Sequence, residues 1–275
     1  MIPGYLLGLR EGLEAALILA ITFGVLRRTR RTELASWAWF GAGSAAGLSA
    51  IVAATLLAIG ARLEGRAEEI FEGVTMLLAA GVLTWMILWM SIQGRQVQFG
   101  LERDIEQAAV RRQAGAIFAV AFLAVLREGI ETALFLSAAA FQDEQLAVVL
   151  GGLAGLATSA VLGWGLYRAT IRLNVRQFFQ VTGVLLILFA AGLFAHGAHE
   201  LVEAGLLPAL VDPVWNTEAL LSEASFVGML ARTLFGYNAD PTLLEVLAYV
   251  AYLGAVVTAL RQISGERPQA VAAVL

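Results

Sequence analysis

Cysteine is absent from the 275 residues, which excludes disulfides, thiolate metal sites and cysteine nucleophiles. Lysine is absent too, so all 18 basic residues are arginine, and histidine occurs only twice. Charge is scarce at 15%, against about a quarter in an ordinary soluble domain. In its place stand 59% hydrophobic residues with a mean hydropathy of +0.78, gathered into long runs. Runs of that kind exclude a large soluble core and define an all-α integral membrane protein. With a net charge of −4, no nucleic-acid surface is expected. Nor is a cleavable signal peptide, because Arg10, Glu11 and Glu14 interrupt the first apolar run.

Windows of about 20 apolar residues, enough to cross a bilayer as helix, fall near 5–26, 34–59, 70–92, 114–140, 145–167, 178–200 and 242–261. The arginines alternate with them. Thirteen, among them Arg27, Arg28, Arg103, Arg111, Arg168, Arg172 and Arg261, follow the odd-numbered spans, and only Arg62, Arg66 and Arg232 lie on the other side. The positive-inside rule then predicts seven spans with the N-terminus outside and the C-terminus cytoplasmic. Acids show the opposite bias. Thirteen, including Asp143, Glu144, Asp212, Glu218, Glu223 and Glu245, gather at the outer face and leave it near −10. A negative mouth concentrates cations.

Three charged residues sit inside each of two spans. LREGLEAAL at 9–17 returns as LREGIETAL at 126–134, an offset of 117 residues. Weaker echoes follow. Gly43 and Gly47 in span 2 match the spacing of Gly151 and Gly155 in span 5, where close helix packing is expected. LLAAGVL at 77–83 is answered by LFAAGLF at 188–194. The chain thus reads as a three-helix repeat (1–92), a cytoplasmic linker (93–113), a second copy (114–200), an extracytoplasmic segment (201–241), and a seventh helix with its tail (242–275). Three is odd, so the second copy must be inverted. Transporters built this way bind substrate near the midplane, between the halves.

On a helix Glu11 and Glu14 share one face, as do Glu128 and Glu131. Arg10 stands four before Glu14 and Arg127 four before Glu131, spacings that permit ion pairs within each helix. A charge at membrane depth costs about 2.5–3.5 kcal/mol on insertion scales. Two buried Arg–Glu clamps would account for one glutamate per helix and leave the second over. Four carboxylates with two arginines carry a net −2, matched to a hard or borderline cation such as Mn²⁺, Fe²⁺ or Fe³⁺. A proton relay without metal uses the same residues. Gly12 and Gly129, between the paired acids, let a neighbouring helix, an ion or water approach the backbone.

The doubled REGLE/REGIE phrase on spans 1 and 4 of a seven-span chain resembles the high-affinity iron permeases, the oxidase-dependent iron transporters of fungi and bacteria. The resemblance runs over essentially the full length. It implies a multi-pass permease of the plasma or inner membrane, not an enzyme, importing Fe³⁺ or Fe²⁺. Glu11, Glu14, Glu128 and Glu131 would bind the metal, and Arg10 and Arg127 would support them. Iron is then cargo, with no tightly bound cofactor. The resemblance also implies a partner outside the membrane: a ferroxidase, a peroxidase or an iron-donor protein. The rival cargoes are Mn²⁺ and Pb²⁺.

Two further clusters are expected on the outer side. EGRAEEIFEG (64–73) sets Glu64, Glu68 and Glu72 at i, i+4 and i+8 as an acidic stripe, and HGAHELVEAG (196–205) holds His196, His199, Glu200 and Glu203. Histidine with carboxylate suits Fe or Zn, so these residues form a candidate outer site where iron enters, beside the blander reading as solvated helix ends. An intramembrane metalloenzyme using His196, His199 and Glu200, with Glu203 as base, is the rival from another class; it would lack the HEXXH spacing and leave REGxE idle. The outer segment 201–241 is expected to form short helices. GLERDIEQAAVRRQ (100–113) reads as a separate short interfacial helix whose arginines face anionic lipid.

Overall fold

The structure is a computed structural model that describes the backbone of residues 1–142, 144–167, 175–208, 210–223 and 225–272. Asp143, Arg168 and Arg172 of the charge pattern lie outside the described residues. The helices are α1 (Ile2–Arg28), α2 (Ala35–Gly60, entered through a 3₁₀ turn at Thr32–Leu34), α3 (Arg66–Val110), α4 (Ala114–Gln142), α5 (Gln145–Tyr167), α6 (Val175–Glu203), α7 (Phe226–Phe235) and α8 (Leu243–Ala272). No strand occurs among the described residues.

Among the described residues, five stretches are long and apolar enough to cross a membrane: Thr32–Gly60, Arg66–Trp89, Gln145–Gly165, Gln177–Glu203 and Leu243–Ile263. The other two long helices, α1 with 27 residues and α4 with 29, each rise about 40 Å and have the length but not the composition. They are the two that carry the repeated REGLE/REGIE phrase.

The expected interfacial helix at 100–113 is not a separate element. It continues α3, which runs unbroken for 45 residues to Val110. The joining stretch MSIQGRQVQFG contains no proline, and glycine costs a helix only about 1 kcal/mol relative to alanine. The helix stops where Arg112 adopts φ 55° and the amides of Arg112 and Gln113 bond back to the carbonyls of Ala109 and Ala108 at 3.2 and 2.9 Å. The end of α1 is closed alike, with Arg30 at φ 55° and Arg31 N–H donating to Leu26 O at 2.8 Å.

The chain divides into two compact units, Met1–Arg62 with Arg95–Thr182, and Leu63–Gly94 with Gly183–Leu275. Each draws helices from both halves of the sequence repeat. In the first unit α1 packs parallel to α5, and α2 parallel to α4. Gly4 and Gly8 lie against the backbone of Val148 and Gly152, and further along Gly163 lies against Ala16. On the other pair Gly41 meets the backbone of Phe118 and Phe122, and Gly129 meets Ser49. Because α4 and α5 form a hairpin, α1 and α4 run antiparallel. One end of this unit is closed by Val25, Leu26, Leu34, Ala38, Ile105, Ala109, Ile117 and Ala121, all buried.

The expectation that Gly43 and Gly47 make the close approach in α2 is corrected. Nothing lies within 4 Å of a Cβ built on either, whereas Gly41, Ala45 and Ser49 are buried. Residues two apart on a helix point about 200° apart, so Gly43 and Gly47 face away. The row in α2 that corresponds to Gly151, Gly155 and Ser159 of α5 is therefore Gly41, Ala45 and Ser49. The matching of α2 to α5 by glycine alone was off by two residues.

In the second unit the start of α3 meets the end of α6 at Gly73 and Gly197; a Cβ on Gly73 would lie 2.9 Å from Gly197 O, and one on Gly197 would lie 3.0 Å from Gly73 O. Deeper in, the rings of Phe194 and Tyr252 lie 5.5 Å apart and tilted by 30°, and Tyr252 Oη lies 2.6 Å from Thr84 Oγ1. The segment 201–241 forms one short helix, α7, whose Ser225 side chain accepts from Gly228 N–H at 3.0 Å and whose last turn ends on Gly236 at φ 67°. Its flanks fold back on each other: Val214 N–H donates to Pro241 O and Thr217 N–H to Ala239 O, at 2.9 and 2.8 Å. In the turn between them, Glu218 accepts from Ser222 Oγ at 2.6 Å and from Glu223 N–H at 3.1 Å, which holds its exposed carboxyl below the usual carboxylate range.

Candidate metal centre

The two phrases meet in the first unit because small residues let their helices come close. A Cβ on Gly12 would lie 2.9 Å from Ser159 Cβ, and one on Gly129 would lie 2.6 Å from Ser49 Cβ, so neither position has room for a side chain. These seats hold α1 against α5 and α4 against α2, with the acids on either side of each glycine. Ser49 Oγ donates to Ala45 O at 2.9 Å and Ser159 Oγ to Leu156 O at 2.7 Å. The two serines were not singled out in the sequence; the signal was there in the small-residue rows of α2 and α5.

Both ion pairs expected within the helices are present. Arg10 Nη2 lies 3.3 Å from Glu14 Oε1, and Arg127 Nε lies 3.0 Å from Glu131 Oε1. Each arginine also reaches the first acid of its phrase: Arg10 Nη1 lies 3.0 Å from Glu11 Oε1, and Arg127 Nε 3.8 Å from Glu128 Oε1. The halves are unequal in cover. The Arg10 side chain is 3% exposed and that of Arg127 is 37%.

Across the helices, one carboxylate oxygen from each of Glu11, Glu128 and Glu131 lies within 4.8 Å of the others, the one such trio of ligand atoms among the described residues. All three residues are buried. Glu11 Oε2, Glu128 Oε2 and Glu131 Oε2 have no hydrogen-bond partner. Buried polar atoms are normally satisfied, and an uncompensated carboxylate in apolar surroundings is costly. Glu14, the fourth acid of the phrases, is not among the three; its Oε1 lies 3.3 Å from Arg10 Nη2 and is likewise without a hydrogen-bond partner.

The second unit gathers the other candidates less tightly. Glu64 precedes α3, because Gly65 at φ 58° breaks the chain ahead of Arg66. The acidic stripe is therefore two residues, Glu68 and Glu72, rather than three. On α6, His196 Nε2 lies 4.0 Å from Glu200 Oε1, and His199 Nε2 lies 3.4 Å from Glu203 Oε1. A residue not chosen from the sequence joins them: Glu245 Oε2 of α8 lies 3.7 Å from His199 Nδ1. The stretch TLLE at 242–245 carries its signal, a capping-box spacing, and Glu245 N–H does donate to Thr242 Oγ1 at 3.2 Å.

An all-helical chain with five membrane-capable helices, and buried carboxylates collected on two more, has the build of a multi-pass membrane transporter. It belongs to the iron permease FTR1 family, whose profile matches residues 1–264. It is 36% identical over 255 residues to the ferrous iron permease EfeU of Escherichia coli O157:H7, covering 92% of both chains. The protein of that name from Yersinia pestis is 33% identical over 255 residues, covering 92% of this chain and 90% of that one. No solved structure matches the chain. Membership of the family, together with the membrane-capable helices, makes this a multi-pass protein of the inner membrane, and a permease rather than an enzyme.

Proposed function

We propose that the chain imports ferrous iron, bound in transit by Glu11, Glu128 and Glu131, with Glu14 held in reserve by Arg10. The single observation that carries this reading is the convergence of one carboxylate oxygen from each of the buried Glu11, Glu128 and Glu131 of α1 and α4. Three oxygens bound to one ion at about 2.0–2.2 Å lie about 3.0–3.6 Å from one another. The three carboxylate oxygens already stand within 4.8 Å, and side-chain rotation closes the remainder. Four glutamates against two arginines leave a charge of −2, which a divalent ion neutralises. The relatives named ferrous iron permease favour Fe²⁺ over Fe³⁺.

In this reading α1 and α4 also cross the bilayer, giving seven spans, with the N-terminus outside as the arginine asymmetry requires. Their charges are tolerable at depth because they face one another rather than lipid. Iron is cargo, and rocking of the inverted halves exposes the carboxylates to each side in turn. The test is uptake of radioactive Fe²⁺ into liposomes carrying the purified protein. Glu11→Ala and Glu131→Ala are each expected to reduce uptake to the level of empty liposomes, with an unchanged elution profile. Uptake persisting in both variants would refute the assignment. Mn²⁺ in excess is the competitor that checks cargo, and it is expected to slow iron uptake less than unlabelled Fe²⁺ does.

A further inference from the structure

We propose a second cation site, distinct from the buried trio, on the last two turns of α6, with His196, His199, Glu200 and Glu203 as ligands and Glu245 of α8 as the residue that orients His199. The four ligands stand at i, i+3, i+4 and i+7, one face of the helix. Their pairings are too long for strong hydrogen bonds, which cluster at about 2.7–3.2 Å. They stand as two candidate ligand pairs, and since no three of these ligand atoms lie within 4.8 Å of one another, side-chain rotation must bring the pairs onto one ion. Two ligand atoms bound to one tetrahedral ion at about 2.0–2.1 Å lie about 3.4 Å apart, and His199 Nε2 and Glu203 Oε1 are separated by 3.4 Å. His196 Nε2 and Glu200 Oε1, at 4.0 Å, form a second pair one turn earlier, and the two imidazoles are 5.8 Å apart at their centroids.

The independent observation lies behind His199. Its Nδ1 is buried and makes no hydrogen bond, yet it points at Glu245 Oε2 from 3.7 Å. Glu245 is 4% exposed and is fixed by Asn238 Nδ2, which donates to its two carboxylate oxygens at 3.2 and 3.0 Å. A carboxylate behind the far nitrogen of a histidine is the usual support of a metal-binding imidazole: once it closes to hydrogen-bond distance it sets the tautomer and leaves Nε2 to ligate. Opposite, the Gly73–Gly197 crossing brings α3 so close that a Cβ on Gly73 would sit 3.1 Å from Glu200 Cβ, which places Glu72 beside the ligand face. The nearby Arg232 is paired with Glu223 at 3.2 Å. Two imidazoles with carboxylates select a borderline divalent cation, the class to which ferrous iron belongs. With the Glu203 side chain 54% exposed, the face is open to ions from solution, as a collecting site must be.

His196 and His199 are the only histidines and lysine is absent, so acylation by diethylpyrocarbonate, followed as carbethoxyhistidine absorbance, reports on this site alone. The full chain, purified in detergent without a polyhistidine tag, is treated with and without Co²⁺. Co²⁺ is expected to slow modification in the wild type and equally in Glu11→Gln, but not in the double variant Glu200→Gln with Glu203→Gln. Glu245→Gln is expected to raise the Co²⁺ needed for half-protection about 10–100-fold, without speeding modification when metal is absent. If the double variant fails to fold, Glu203→Gln alone, at an exposed position, must raise that concentration. No protection in the wild type, or full protection surviving in Glu203→Gln, would overturn the proposal. Protection lost in Glu11→Gln would do the same by assigning the effect to the buried trio. Failure of iron uptake in Glu131→Ala with protection intact leaves this site standing, so the two readings fail separately.

Discussion

Arg10→Met is expected to destabilise the protein by about 3–5 kcal/mol, the usual result of removing one partner from a buried ion pair. Arg127→Met is expected to cost clearly less. The two arginines occupy the same place in the repeated phrase, yet the Arg10 side chain is 3% exposed and that of Arg127 is 37%. Arg10 lies against Glu11 at 3.0 Å and Glu14 at 3.3 Å, with Glu11 wholly covered. Without Arg10 those carboxylates lose their counter-charge where no water can replace it, and they repel Glu128 and Glu131 besides. Arg127 holds Glu131 at 3.0 Å but Glu128 only at 3.8 Å, so fewer close contacts are lost with it. The measurement is the detergent-solubilised melting temperature of both variants. Equal losses would mean that the difference in cover has no energetic weight. A second comparison guards against collapse of the Arg10 variant: Arg10→Met with Glu14→Gln should recover part of the loss, because one uncompensated charge is gone.

This asymmetry could not be read from the sequence, and the reason is physical. Spacing along a helix is local and periodic, so the pairing of Arg10 with Glu14 and of Arg127 with Glu131 followed from the phrase alone. So did the choice of α1 and α4 as the helices with chemistry, since charge in an apolar run is expensive enough to need a function. Burial depends instead on which helix covers which face, information spread over the other elements. The same gap separates Glu14 from the convergent three: which carboxylate oxygens meet depends on side-chain rotamers, and spacing along a helix does not set those. Glycine was the poorest guide. With 28 in the chain, small residues occur on every face of α2, and only the packed structure separates the buried row Gly41, Ala45, Ser49 from the open pair Gly43 and Gly47. Glu245 was passed over because its partner, His199, is far away in the sequence and its own neighbourhood reads as an ordinary helix start. The length of α3 was missed for the opposite reason: its far end is polar, so hydropathy stops where the helix does not.

Gly129→Ala is the smallest change expected to stop transport without touching a charge. The new Cβ would lie 2.6 Å from Ser49 Cβ and nearer still to its hydroxyl, and Ser49 is buried on a helix held by its own bond to Ala45 O. Neither side can yield by rotating a side chain, so α4 must shift from α2, and Glu128 and Glu131 move with it. Overpacking of this kind costs about 1–3 kcal/mol, a loss the fold can survive and a coordination geometry cannot. Uptake should fall far more than thermal stability does. Ser49→Gly in the same chain removes both the Cβ and the hydroxyl, and is expected to restore uptake despite about 0.5 kcal/mol of lost helix propensity. The coupling between the two substitutions, from a double-mutant cycle, should then exceed about 0.5 kcal/mol. Gly12→Ala with Ser159→Gly is the same experiment on the other pair of helices. Gly43→Ala supplies the control, because nothing lies within 4 Å of its Cβ: it should transport like the wild type and melt no lower. If Gly43→Ala were as damaging as Gly129→Ala, the harm would come from glycine chemistry in general and not from the seat against Ser49.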